Sequence, residues 1–166
     1  MLAQRLAIEG PDGVTVSSTG IRGAVGAPPS LLVKEGMQFG LDLSEHVSNK
    51  IELPDIQRAD LIISFTREHV REIVLADTSS FEKTYTMREF VRRGAEKGPR
   101  YSGEGLPEWL FRMHLGRRHL DLLGDSPVDD TPDPMGGEPE DYRHMLMELA
   151  ASTKALHELV WPMLPT

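Results

Sequence analysis

Ala59-Asp60-Leu61-Ile62-Ile63-Ser64-Phe65-Thr66-Arg67-Glu68-His69 is the stretch on which the fold turns. Residues 61–64 are a short apolar run of the kind buried on both faces of a parallel sheet. Thr66 is a helix N-cap, and the residues after it predict a helix over 67–76. A buried strand handing straight to a capped helix is one half of a βαβ unit. Outward from it, Pro54 opens a short helix reaching about Ala59, and residues 82–85 read as a further strand. Thr86-Met87-Arg88-Glu89 is a capping box that starts a helix to about Arg93. Val14-Thr15-Val16-Ser17-Ser18 is a β-branched run and reads as a strand. Helices are predicted over residues 1–9, 30–39 (with Ser30 as cap), 106–115 around Trp109, and 138–161, which Pro162 ends. Gly- and Pro-rich loops cover 19–29, 94–105 and 124–137. Strands alternating with helices give an α/β class, a three-layer doubly wound parallel sheet in one domain over 1–166.

The chain has 166 residues, enough for one domain with a core. Only 6% are aromatic, so that core must come from Leu, Ile, Val and Met. Eighteen Lys and Arg stand against 26 Asp and Glu, a net charge of −8. Such a field repels nucleic acid and acidic membranes, and neither is expected as a partner. There are no cysteines, which excludes disulfides, thiolate zinc sites and thiol catalysis by these residues. The N-terminus is too short and polar for a signal peptide, and no apolar run approaches the ~20 residues of a membrane span. A cytoplasmic location is the expectation.

Three segments together resemble the low-molecular-weight protein tyrosine phosphatase family. Val16-Ser17-Ser18-Thr19-Gly20-Ile21-Arg22 is similar to the family's S-x-G-T strand end. Residues 59–69 are similar to its A-D-L-I-L-x-M-T-x-x-H segment. Pro132-Asp133-Pro134-Met135-Gly136-Gly137, followed by Glu140 and Tyr142, resembles the D-P-[FY]-x-G loop before the family's last helix. Residues 94–127 match poorly and read as a loop and helix insertion. In that family the sheet order is 2-1-3-4. Its first strand feeds a V-C-x-G-N-x-C-R-S-P loop, and a helix beginning M-A-E-A-L-L follows. Met1-Leu2-Ala3-Gln4-Arg5-Leu6 resembles that helix. The resemblance therefore implies that the first, central strand and the phosphate loop are missing, so the domain is expected to be N-terminally incomplete.

What the resemblance implies chemically is phosphoryl transfer to a cysteine thiolate, then hydrolysis of the cysteinyl phosphate. The substrate would be a phosphotyrosine protein or a small phosphomonoester, with no cofactor and no metal. The nucleophile and the loop arginine have no counterpart here, so the chain is expected to be inactive as it stands. Asp133 maps onto the general acid that protonates the leaving tyrosinate. Met135 takes the place of the aromatic that walls the phenol slot, which weakens the case for phosphotyrosine selectivity. Ser18 and His46 resemble residues that brace the phosphate loop. Blander readings stand beside these. Asp-Pro is an ordinary turn signal, and His46 reads equally as a surface residue after a helix. Two other functions share the scaffold: a pseudophosphatase acting as a binding or regulatory module, and an arsenate reductase relative, which also needs thiols.

The His114/His119 pair raises the question of a metal. On one continuous helix they point about 140° apart, so no shared ion is expected. Arg117 and Arg118 read as a solvated helix end, with recognition of a phosphorylated substrate as the other reading.

Overall fold

The computed structural model describes residues 1–3, 13–21, 30–43, 47 and 49–162. Helices α1 (Ser30–Met37) and α2 (Leu53–Arg58) precede strand β1 (Ile62–Ser64). Helix α3 (Arg67–Ala76) and a 3-10 turn (Thr78–Lys83) lead into β2 (Thr84–Thr86). Then come α4 (Met87–Lys97), α5 (Leu106–His114), a second 3-10 turn (His119–Leu122) and α6 (Pro139–Val160). The contacts divide into two compact units, residues 1–51 with 132–153, and residues 52–131 with 154–166. The predicted helix over 1–9 and the site call on His46 fall largely or wholly outside the described residues.

The second unit is built around β1 and β2, which pair in parallel with Ile62 opposite Thr84, Ile63 opposite Tyr85 and Ser64 opposite Thr86. All three residues of β2 are buried. A strand with no solvent face needs apolar or internally satisfied side chains. Tyr85 donates its hydroxyl to the Glu82 carbonyl at 2.9 Å, and Thr84 donates to the Ser80 carbonyl at 2.8 Å. Helix α3 forms because Thr66 accepts the His69 N–H at its start (3.3 Å) and because Val70, Ile73 and Val74 recur on one face. Val70 and Val74 join Phe81 and Leu122 in an apolar cluster. Aromatic rings continue the packing: Tyr85 meets Phe90 edge-on at 5.5 Å, and Phe90 meets Trp109 at 5.6 Å. Trp109 is fully buried and donates its indole N–H to the Gly98 carbonyl. Burying one such ring contributes on the order of 3 kcal/mol.

Two expectations are corrected here. Helix α4 does not stop at Arg93 but runs to Lys97, where Gly98 at φ 82° turns the chain. Gly94 sits inside it because Leu159 lies against that position: a Cβ there would fall 3.0 Å from Leu159 Cγ and closer still to both its methyls. Gly94→Val is therefore expected to lose about 1–3 kcal/mol in urea unfolding. Adding Leu159→Ala should return part of that loss. Two losses that merely add would show that the residues do not touch. The second correction concerns residues 14–18, which form no strand; Val14 and Val16 are about 40% exposed. A strand needs a ladder partner, and none of the described residues supplies one. The pairing nearby is a lone parallel bridge between Gly20 and Lys50, carried by Gly20 N–H to Asn49 O (2.7 Å) and Ile51 N–H to Gly20 O (3.0 Å).

In the first unit, α1 buries Glu35, whose carboxylate accepts from Gln38 at 2.7 Å and stands 3.4 Å from Arg143. Tyr142 and Leu146 of α6 are buried in that unit. No described helix is long and apolar enough to cross a membrane.

Candidate functional site

Residues 126–131 are anchored to the end of β1. Asp130 accepts the backbone N–H of Arg67 at 2.7 Å through one carboxylate oxygen, and that of Ser126 at 2.7 Å through the other. Arg67 begins the helix after β1, so Asp130 ties residues 126–131 to the C-terminal end of that strand. There it meets the positive end of α3. Thr131 N–H donates to Phe65 O at 2.8 Å, and Arg88 donates to the Asp130 carbonyl at 2.6 Å. Asp129 lies beneath, 4% exposed, bridged by Arg67 at 2.7 Å and Arg92 at 2.9 Å. Burial pushes its carboxyl pKa up, but the hydrogen bonds and charges of the two arginines outweigh burial and hold it below the ordinary aspartate value. In open parallel α/β folds the C-terminal ends of the strands are where ligands bind.

Asp133 follows two residues after Thr131. It is exposed, and its carboxylate accepts the Met135 backbone N–H at 2.9 Å, an Asx turn. Met135 is 72% exposed. Gly136, at φ 81°, turns the chain after it, and the Glu138 N–H donates to Asp141 at 2.8 Å at the start of α6. Asp133 is thus open to solvent, with one oxygen taken up by its own loop. Ser18 is exposed.

The largest departure from the sequence reading is Arg117. Its side chain is 3% exposed, and it pairs with Glu89 at 2.7 Å and 3.1 Å. It donates to the carbonyls of Phe81 (2.6 Å) and Thr84 (2.7 Å), and its guanidinium stacks 4.0 Å over Tyr85 and 4.3 Å over Phe81. The chain turns at Gly116, φ 90°, which swings Arg117 inward and leaves Arg118 outside, paired with Asp121 at 2.8 Å. So Arg118 is the solvated residue that the sequence implied, and Arg117 is not. Burial pushes the Tyr85 phenol up to about 12, with Arg117 pulling the other way.

The same turn changes the histidine geometry. His114 ends α5 and His119 opens a separate 3-10 turn, so both rings reach Phe81, at 5.0 Å and 4.2 Å. Burial, and then Arg117, lower the His114 pKa. No cluster among the described residues could hold a metal ion. Glu89 also departs from the capping-box reading. Thr86 does accept the Glu89 N–H (3.1 Å), but the Glu89 carboxylate goes to Arg117 rather than back to the cap. The one sequence signal for this pairing was an acid in the first turn of a helix, which fits a cap equally well.

The parallel pair β1 and β2 with helix α3 between them is a βαβ unit and defines an α/β protein. The family model described as Low molecular weight phosphotyrosine protein phosphatase matches residues 1–99. The chain belongs to that family. Asp133 and Met135 lie beyond the matched residues. Two solved structures resemble it. A YwlE mutant from Bacillus subtilis is 20% identical with a TM-score of 0.63, covering 95% of this chain and 81% of that one. A structure titled YwlE arginine phosphatase from Geobacillus stearothermophilus is 24% identical with a TM-score of 0.64, covering 95% and 80%. At these identities the likeness shows a shared α/β fold. No curated protein matches the chain.

Proposed function

We propose that this chain is a phosphomonoesterase scaffold that carries the acid side of a cysteine-dependent reaction and does not turn substrate over with its own 166 residues. The observation that carries this reading is the absence of cysteine from a chain of this family. The covalent intermediate needs a sulfur nucleophile, and the 166 residues contain no cysteine. Asp133 supplies the proton to the leaving group, Met135 borders the leaving-group slot, and Ser18 and His46 brace the loop that binds phosphate. The natural substrate is a phosphorylated protein or small phosphomonoester in the cytoplasm. The non-aromatic Met135 leaves room for a leaving group other than tyrosine, as does the name of the Geobacillus neighbour, an arginine phosphatase.

Purified 1–166 incubated with an aryl phosphate at mildly acidic and neutral pH should release phosphate no faster than buffer. Turnover that survives Asp133→Asn and repeated purification would place the chemistry elsewhere and end this reading. In a version joined to a Cys-containing phosphate loop, Asp133→Asn should slow poor leaving groups by ~10²–10⁴-fold and spare good ones. Equal losses on both would make Asp133 only a shaper of its Asx turn.

A further inference from the structure

A cleft of about 190 Å³ lies within the unit that holds β1 and β2. Five arginines line it, Arg67, Arg92, Arg93, Arg117 and Arg118, against three carboxylates. Five positive groups against three negative ones leave two positive charges, in a chain whose net charge is −8. The ion pairs locate that excess. Glu89 answers Arg117 and Asp121 answers Arg118. Asp129 alone is shared by Arg67 and Arg92, though Arg92 also stands 3.6 Å from Glu96, an exposed carboxylate outside the lining. Arg93 is held by two carbonyls, Met113 O and Leu115 O, both at 2.7 Å, which fix its plane without cancelling its charge.

A net positive, arginine-lined surface suits a tetrahedral dianion. Size narrows the choice. The volume is that of about six waters at ~30 Å³ each, enough for a phosphate group and below the ~300 Å³ at which pockets for larger ligands begin. Phe81 and Leu122 complete the lining, and their apolar surface strengthens the charge interactions by excluding water. We propose that this cleft binds a phosphate dianion, free or as the end group of a monoester. The site uses none of residues 132–137 and needs no thiol, so the chain binds phosphate there without hydrolysing anything.

Isothermal titration of 1–166 with inorganic phosphate at low salt and slightly alkaline pH tests this, with phenyl phosphate as the second arm. One saturable site is expected. Arg92→Gln and Arg93→Gln should each weaken it about tenfold, as loss of a charge-assisted contact does. Arg92 is partly exposed on α4 and Arg67 still pairs with Asp129, so its variant should keep the wild-type circular dichroism and melt cooperatively at a somewhat lower temperature. Arg58→Gln, which removes an exposed arginine paired with Asp55 outside the cleft, should leave binding unchanged. For phenyl phosphate, lowering the pH below the second monoester pKa of ~6 should weaken binding. Tighter phenyl phosphate identifies a monoester as the ligand, and equal or weaker phenyl phosphate identifies the free ion. Absence of saturable binding, or equal losses in Arg58→Gln and a folded Arg92→Gln, would overturn the proposal.

Discussion

Replacing Arg117 with alanine is expected to cost about 3–5 kcal/mol of folding stability, a large share of the ~5–15 kcal/mol a domain possesses. The guanidinium is 3% exposed, and its removal leaves the Glu89 carboxylate, itself mostly buried, without its partner. The carbonyls of Phe81 and Thr84 lose their donor as well. Water could solvate these groups only by opening the packing of Phe81 and Tyr85, whose rings the guanidinium covers. Removing both charges tests whether the cost comes from a stranded ion. Arg117→Met with Glu89→Leu should be far milder than Arg117→Ala, because an apolar pair of similar volume leaves nothing unpaired. Urea midpoints of the three proteins decide it. A loss below about 1 kcal/mol for Arg117→Ala would mean that the residue is solvated after all.

Asp129→Asn should destabilise the protein by about 2–3 kcal/mol at neutral pH and by progressively less as the pH falls below about 4. The amide keeps the shape but cannot hold two guanidinium groups by charge. The pH dependence follows from the direction of the shift. Asp129 has a folded-state pKa lowered below the ordinary aspartate value of about 3.9. Its contribution is therefore complete above that value and is lost as the pH falls through the folded pKa. The variant should show a flatter acid limb than the parent in urea unfolding at a series of pH values. Parallel curves would show that the pairs with Arg67 and Arg92 add nothing net, as desolvation permits.

The parts of this fold that could be read from the sequence are those fixed by neighbours in the chain. Thr66 and Thr86 cap helices because the N–H groups they accept lie three residues on, and the run at 61–64 needs only its own hydrophobicity to be read. Gly94 misled, since glycine ordinarily ends helices, and here its reason is Leu159, sixty-five positions away in the chain. Arg117 was unreadable for the same cause: its partner Glu89 lies 28 residues back, and a pair of adjacent arginines looks solvated until a turn separates them. Residues 14–18 have strand composition, but composition does not provide a ladder partner. At the candidate site, the resemblance singled out Asp133 and Met135, and the structure adds their exposure and the Asx turn. The hydrogen bonds and ion pairs of Asp129 and Asp130 were hidden in what reads as a Gly- and Pro-rich loop.

Thr86 is at once the last residue of β2 and the cap of α4. The chain therefore has no slack at that point, and its length there is set to the residue. One extra residue after position 86 would either strip the helix of its cap, at about 1 kcal/mol, or slide the strand by one place. The slide is the worse outcome, because it reverses which side chains face inward and turns the Tyr85 ring away from Phe90. The matching junction after β1 is looser by one residue: Phe65 stands between Ser64 and the Thr66 cap, with its side chain partly in solvent. Insertions and deletions in this protein thus meet opposite resistance at two junctions that look alike on paper.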